Sequence, residues 1–107
     1  MNNDSSPDFD ATVLDRLYAT IVARRAAGAK DSYTVALISA GTPHIARKVG
    51  EETVETIIEA LAGDNERLTA ESADLLYHLL VLWAVRGVHP HQVWAALKER
   101  ERRATGQ

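Results

Sequence analysis

The chain has 107 residues, a formal net charge of −3 and an ordinary globular composition, 46% hydrophobic and 25% charged, which leaves room for one domain and no more. The negative balance argues against a nucleic-acid backbone as partner, because such binders carry a clustered basic excess. Cysteine is absent, which excludes a disulfide framework and any thiolate metal site.

Residues 1–8 are polar and acidic and read as a loose tail. They lack the basic region and apolar core of a signal peptide, so the expected location is the cytoplasm. A single all-α domain is expected over residues 9–103. Its first helix spans 9–27, with Val13, Leu14, Leu17, Tyr18 and Ile21 at helical spacing and Gly28 as a C-terminal stop. A short second helix over 33–40 has Ser32 as N-cap and Gly41 as terminator. Thr42-Pro43 starts the third, a capping hydroxyl followed by proline in the first turn. It runs to Ala62, where Gly63-Asp64 ends it. The fourth covers 65–86 and stops at Gly87. The fifth begins near Pro90 and carries Val93, Trp94 and Leu97 before a solvated, charged end over 98–103. No period-two strand, internal repeat or linker is present, so the fold class is all-α with about five helices. The longest apolar stretch, 75–85, is interrupted by His78 and is too short to span a bilayer.

Around the fourth helix, Leu75, Leu76, Leu79, Leu80, Val81, Leu82 and Trp83 leave little polar face. A helix that is apolar all round must be buried all round. Five helices of this size cannot cover it alone, which predicts a homodimer with this helix near the two-fold axis. The helical hairpin core is then completed as a bundle by dimerisation. Trp83 and Trp94 are expected in the core or that interface.

The chemistry lies in the carboxylates. At about 100° per residue, Glu51, Glu55, Lys48, Glu59 and Glu52 fall in that order within one arc of roughly 100° on the third helix. Val54, Ile57 and Leu61 cluster on another face. Glu51 and Glu55, and again Glu55 and Glu59, are like charges at i, i+4, which cost an isolated helix about 0.2–0.5 kcal/mol per pair. Lys48 is the only cation on that face of the helix. On the fourth helix Glu71 and Asp74 share a face at i, i+3, with Asp74 at the edge of the apolar stretch, where an unpaired charge is expensive. A hard divalent cation answers both difficulties, since Mg²⁺ prefers oxygen ligands from a few carboxylates, waters and phosphates. The third and fourth helices form an antiparallel hairpin. Glu52 and Glu55 lie about two to three turns before its connection, and Glu71 and Asp74 about two turns after it, so the two pairs can face each other at one level.

Glu52-x-x-Glu55, fifteen intervening residues, then Glu71-x-x-Asp74 resembles the metal-binding signature of the all-α nucleotide pyrophosphatase superfamily, which includes the MazG-like enzymes. Within it the chain most resembles the phosphoribosyl-ATP pyrophosphatase family. The matching residues are Ser32-Tyr33-Thr34, Gly41-Thr42-Pro43, Lys48-Val49-Gly50-Glu51-Glu52 and Glu71-Ser72-Ala73-Asp74-Leu75-Leu76-Tyr77-His78. The resemblance covers about residues 13–101.

The resemblance implies hydrolysis of N1-(5-phosphoribosyl)-ATP to the AMP derivative and pyrophosphate, in histidine biosynthesis. It implies Glu52, Glu55, Glu71 and Asp74 as ligands of Mg²⁺, and Glu51 as a residue that orients water or completes the outer coordination sphere. Lys48 and Arg47 are expected at the phosphates, and Tyr33 and Thr34 at the substrate. The product would pass to a phosphoribosyl-AMP cyclohydrolase, an activity this chain is too short to contain as a second domain.

Two other functions fit parts of the pattern. A house-cleaning pyrophosphatase of nucleoside triphosphates would use the same metal and carboxylates, although the Ser32-Tyr33-Thr34 and Lys48 to Glu52 matches favour the phosphoribosyl substrate. A non-catalytic helical dimerisation module would bind Mg²⁺ weakly and turn nothing over, but it leaves the matched depth of the acidic pairs unexplained. Apart from the resemblance, Ser32, Tyr33 and Thr34 read as a helix cap and a buried ring. His78 is expected as a core histidine bonded to a carboxylate or to backbone rather than as a metal ligand. His44 is expected to be exposed, and His89 and His91 to take no part in catalysis.

Overall fold

The computed structural model describes residues 10–28 and 32–106. Five helices follow one another: α1 (Thr12–Ala27), α2 (Tyr33–Ser39), α3 (Thr42–Ala62), α4 (Asn65–Arg86) and α5 (Pro90–Ala104). No strand occurs among the described residues. The expected start of the first helix at Phe9 lies outside them.

Local chemistry sets most boundaries where the sequence places them. Gly28, Gly63 and Gly87 close α1, α3 and α4 in the left-handed conformation, which suits glycine for want of a Cβ. Ser32 Oγ accepts from the Val35 N–H at 3.3 Å and caps α2. The junction between α2 and α3 differs from expectation. Gly41 does not terminate α2, whose C-cap is the right-handed Ala40. Gly41 is instead the N-cap of α3, at φ 96° and ψ 160°, and Thr42 is already helical with no side chain capping the end. The two helices are so close that one residue must reverse the chain, and only glycine adopts that backbone cheaply. Its carbonyl then accepts from the N–H groups of His44 and Ile45, each at 3.1 Å.

The hairpin of α3 and α4 makes the most extensive helix–helix contact, and α1 and α2 pack on it. Asp64 caps α4 by accepting from the Arg67 N–H at 3.0 Å. The core is small: Ile21, Leu37, Ile45, Leu80, Val81 and Ala84, with Leu14, Leu17, Tyr18, Ile38, Tyr77, Leu82, Trp83 and Val85 packed around it. In an antiparallel hairpin the start of α3 and the end of α4 lie together. The core therefore occupies that end, and the acidic residues lie between it and the Gly63 turn. Trp83 and Trp94 meet edge to face, ring centroids 6.1 Å apart, and Trp94 Nε1 donates to Asp15 at 3.1 Å, which ties α4, α5 and α1 together. His89 caps α5 through a reciprocal pair with Gln92.

Uncovered apolar surface is distributed differently from the sequence expectation. On α4, Leu80, Val81 and Ala84 are buried and Leu76 is half exposed. The larger strip lies on α3, where Val54, Ile57, Ile58 and Leu61 are between 52% and 84% exposed. Their side chains point away from α4 because α3 turns its other face, with Ile45 and Glu52, inward. By length and composition α4 is also long and apolar enough to cross a bilayer, beyond the shorter 75–85 stretch judged from sequence. Of its residues, Leu80, Val81, Ala84 and His78 are buried and Tyr77, Leu82, Trp83 and Val85 pack against that core, while 22% of the apolar window as a whole is buried.

Candidate metal centre

Three carboxylates converge across the hairpin: Glu52 and Glu55 from α3 and Glu71 from α4 each offer an oxygen within 4.8 Å of the others. Glu52 is buried, Glu71 half-buried and Glu55 exposed, so the cluster opens to solvent on one side. Glu52 Oε1 and Glu71 Oε1 are both buried and have no hydrogen-bond partner among the described residues. Unpaired buried acceptors are costly. Burial raises the Glu71 carboxyl above its ordinary value, and contacts with Glu55 and then Glu52 raise it further. An all-oxygen donor set with two orphaned oxygens fits a hard divalent cation and offers nothing to a soft one.

The remaining acidic residues of the two helices divide by their partners. Asp74, one turn after Glu71, is exposed and stands outside the 4.8 Å group. Glu51 is exposed and pairs with Lys48 at 3.4 Å. Glu59 pairs with Arg67 from α4 at 3.6 Å. Reading α3 alone gives Lys48 as the only cation on this face and misses Arg67. Glu59 and Arg67 stand four residues on either side of Gly63, a symmetry from which hairpin register could have paired them.

Around the cluster lie the other residues singled out in the sequence. The contact with Glu51 raises the Lys48 ammonium above its ordinary value; Tyr33 and Glu52 add to that rise and burial works against it. Tyr33 is 55% exposed, contrary to the buried ring expected from pattern alone, while its neighbour Thr34 is buried. Burial of the hydroxyl raises the Tyr33 phenol, Lys48 works against that rise, and Tyr77, Glu52 and Asp74 add to it. The Tyr33 hydroxyl meets His78 Nε2 at 2.8 Å, and Thr34 Oγ1 bonds the Tyr77 hydroxyl. His78 Nδ1 bonds the Asp74 carbonyl at 2.7 Å, so it is the backbone-bonded core histidine expected, with Tyr33 as an unforeseen second partner. Arg47 is exposed; with Gly50, Glu51, Val54, Glu55 and Ile58 it lines an open groove of about 710 Å³ beside the cluster. His44 is half-buried rather than exposed, its Nδ1 3.2 Å from Arg47.

An all-α hairpin with carboxylates converging from both arms is the architecture of the MazG-like proteins. Within that class the chain belongs to the phosphoribosyl-ATP pyrophosphohydrolase family, whose model matches residues 14–101. A phosphoribosyl-ATP pyrophosphatase of Azospirillum brasilense is 58% identical over 93 residues, covering 87% of this chain and 84% of that protein. One of Parvibaculum lavamentivorans is 50% identical over 89% of this chain and 87% of its own length. One of Sulfurisphaera tokodaii is 50% identical over 86% of this chain and 98% of its own.

Proposed function

We infer that this chain hydrolyses N1-(5-phosphoribosyl)-ATP to N1-(5-phosphoribosyl)-AMP and pyrophosphate, the second step of histidine biosynthesis. Membership of the family supports the substrate. The observation that carries the chemistry is the carboxylate cluster with its two orphaned oxygens.

Glu52, Glu55 and Glu71, with Asp74 beside them, would hold Mg²⁺. Bound there, Mg²⁺ supplies neutralisation of phosphate charge and a more acidic water. The protein's own share is positioning and charge stabilisation, which is most of what phosphoryl transfer asks of it. Lys48, with Arg47 on the groove side, meets the phosphates. Glu51 orients the attacking water or completes the outer coordination sphere. Tyr33 and Thr34 border the substrate. Water adds to the α-phosphorus, the α–β anhydride bond breaks, pyrophosphate leaves and one proton passes to solvent.

The exposed strip on α3 supports a homodimer, and the product supports functional association with phosphoribosyl-AMP cyclohydrolase in the cytoplasm. The decisive measurement is pyrophosphate release with Mg²⁺ from phosphoribosyl-ATP and from a panel of ordinary and deoxy nucleoside triphosphates, with Glu55→Gln as control. Preference for phosphoribosyl-ATP, lost in the control, is expected. Preference for a deoxynucleotide would move the chain to the house-cleaning branch.

A further inference from the structure

We propose that His78 is a positioning residue which holds Tyr33 as an aromatic wall beside the carboxylate cluster, and that the exposed face of this ring takes the purine of the nucleotide. The proposal rests on the reading of the cluster as the phosphate-side metal centre and adds where the base lies.

The hydrogen bonds fix their own direction. The Asp74 carbonyl can only accept, so His78 Nδ1 carries the proton that reaches it at 2.7 Å. In the neutral ring Nε2 is then an acceptor, and the Tyr33 hydroxyl 2.8 Å away is the donor. The phenol has one proton and it is committed to His78. Tyr33 therefore has no proton left for a phosphate oxygen, and what remains for a ligand is the ring face.

That face is held in place at several points. Adjacent residues of α2, Tyr33 and Thr34, bond adjacent residues of α4, His78 and Tyr77. Tyr33 and Tyr77 also stack, centroids 6.2 Å apart and planes at 30°. A seven-residue helix has little stability of its own, so this double clamp to α4 sets where the ring stands. His78 is buried while the Tyr33 residue is 55% exposed, an anchored hydroxyl with an open ring. The electronegative ring face repels phosphate and suits a flat heterocycle. Lys48, Glu52 and Asp74 lie within its electrostatic reach, which places the wall next to the centre that takes the phosphates.

Two substitutions separate the roles of His78. His78→Asn retains a donor near the Asp74 carbonyl but is too short to reach Tyr33. His78→Gln places an amide oxygen near the position of Nε2. The readouts are KM and kcat for pyrophosphate release, and affinity of the metal-free protein for AMP. Asn is expected to raise KM and weaken AMP roughly tenfold, the scale of one lost base stack, with kcat changed far less. Gln is expected to recover most of this. Tyr33→Phe should match Asn, the Tyr33→Phe, His78→Asn double variant should be no worse than either single one, and Tyr33→Leu should be the weakest. The imidazole ¹⁵N signals of His78 should report a protonated Nδ1 and a bare Nε2 that shifts in Tyr33→Phe.

Losses that multiply in the double variant, Gln behaving as poorly as Asn, or a loss confined to kcat would overturn the proposal. Should His78→Asn fail to fold, the two Tyr33 variants still decide it, and unchanged AMP affinity in Tyr33→Leu rejects it. A wild-type protein that binds AMP through Tyr33 yet releases no pyrophosphate would sink the parent reading and leave the wall standing.

Discussion

Glu59 and Arg67 meet across the hairpin at 3.6 Å, with the glutamate side chain 16% exposed and the arginine 72% exposed. The pair takes one negative charge of the α3 face out of the neighbourhood of Glu55 and gives the hairpin a cross-link near its turn. Arg67 also approaches Asp64 at 3.9 Å. Mostly exposed pairs contribute about 0.2–1 kcal/mol. Arg67→Ala should therefore lower Tm by a few degrees in a domain of this size, less at 1 M salt than at low salt. A loss unaffected by salt would show that the aliphatic stem of Arg67 matters rather than its charge.

Glu52 and Glu71 each bury an oxygen that no hydrogen bond among the described residues satisfies. Divalent-ion binding to the folded chain alone must then stabilise it, by about 2.7 kcal/mol at a hundredfold excess over Kd. Mg²⁺ should raise the Tm of the wild-type protein measurably and that of Glu52→Gln hardly at all. In the same variant pyrophosphate release should fall by about a hundredfold or more, beyond the usual cost of removing an outer hydrogen-bond partner of a metal ligand. Equal thermal shifts in both proteins would place the ion elsewhere.

Helix boundaries were legible in the sequence because glycines, capping residues and prolines act locally: Gly28, Gly63, Gly87, Ser32 and Pro90 all stand where such chemistry puts them. Gly41 reads as a terminator in sequence, but with only Ala40 and Gly41 between α2 and α3 the first serves as C-cap and the second as N-cap, a division that only the three-dimensional turn decides. The convergence of Glu52, Glu55 and Glu71 was readable from their equal depth on either side of the turn. Contacts between distant elements were not, since Tyr33 reaches His78 over 45 positions and nothing in helical periodicity orders α2 against α4. The exposed strip on α3 was not legible for a related reason: packing leaves Val54, Ile57, Ile58 and Leu61 uncovered, and periodicity within α3 does not say which face its neighbours take.

Glu71 gives a pH signature. Its folded-state carboxyl is raised above the ordinary value by burial first and by Glu55 and Glu52 next. A raised carboxyl binds its proton more tightly in the folded state, so its contribution to stability is complete below the unfolded value and is lost as pH rises through the folded one. Metal-free protein should therefore lose stability as pH increases from about 4.5 upward across that window, and Glu71→Gln should remove this part of the profile. Mg²⁺ should compensate the ionised cluster and flatten the wild-type curve at neutral pH. Urea midpoints measured with chelator and with excess Mg²⁺ test both statements, and a Glu71→Gln profile parallel to wild type would contradict them.

Ile58 and Leu61 lie on a strip of α3 that no other described helix covers, next to the groove that Arg47, Glu51 and Glu55 line. Burying such side chains is worth about 1.5–3 kcal/mol each, and a strip of four therefore favours association with a second copy through a self-complementary face. Wild-type protein should run as a dimer by light scattering, and Ile58→Glu should run as a monomer because two like charges, one from each copy, would be desolvated at the two-fold contact. The α3 face that lines the groove is continuous with the strip through Val54 and Ile58, so the monomeric variant should also lose turnover while keeping its Mg²⁺-dependent thermal shift. A variant that remains dimeric would show that the copies meet through another surface, and the half-exposed Leu76 on α4 is the next to substitute.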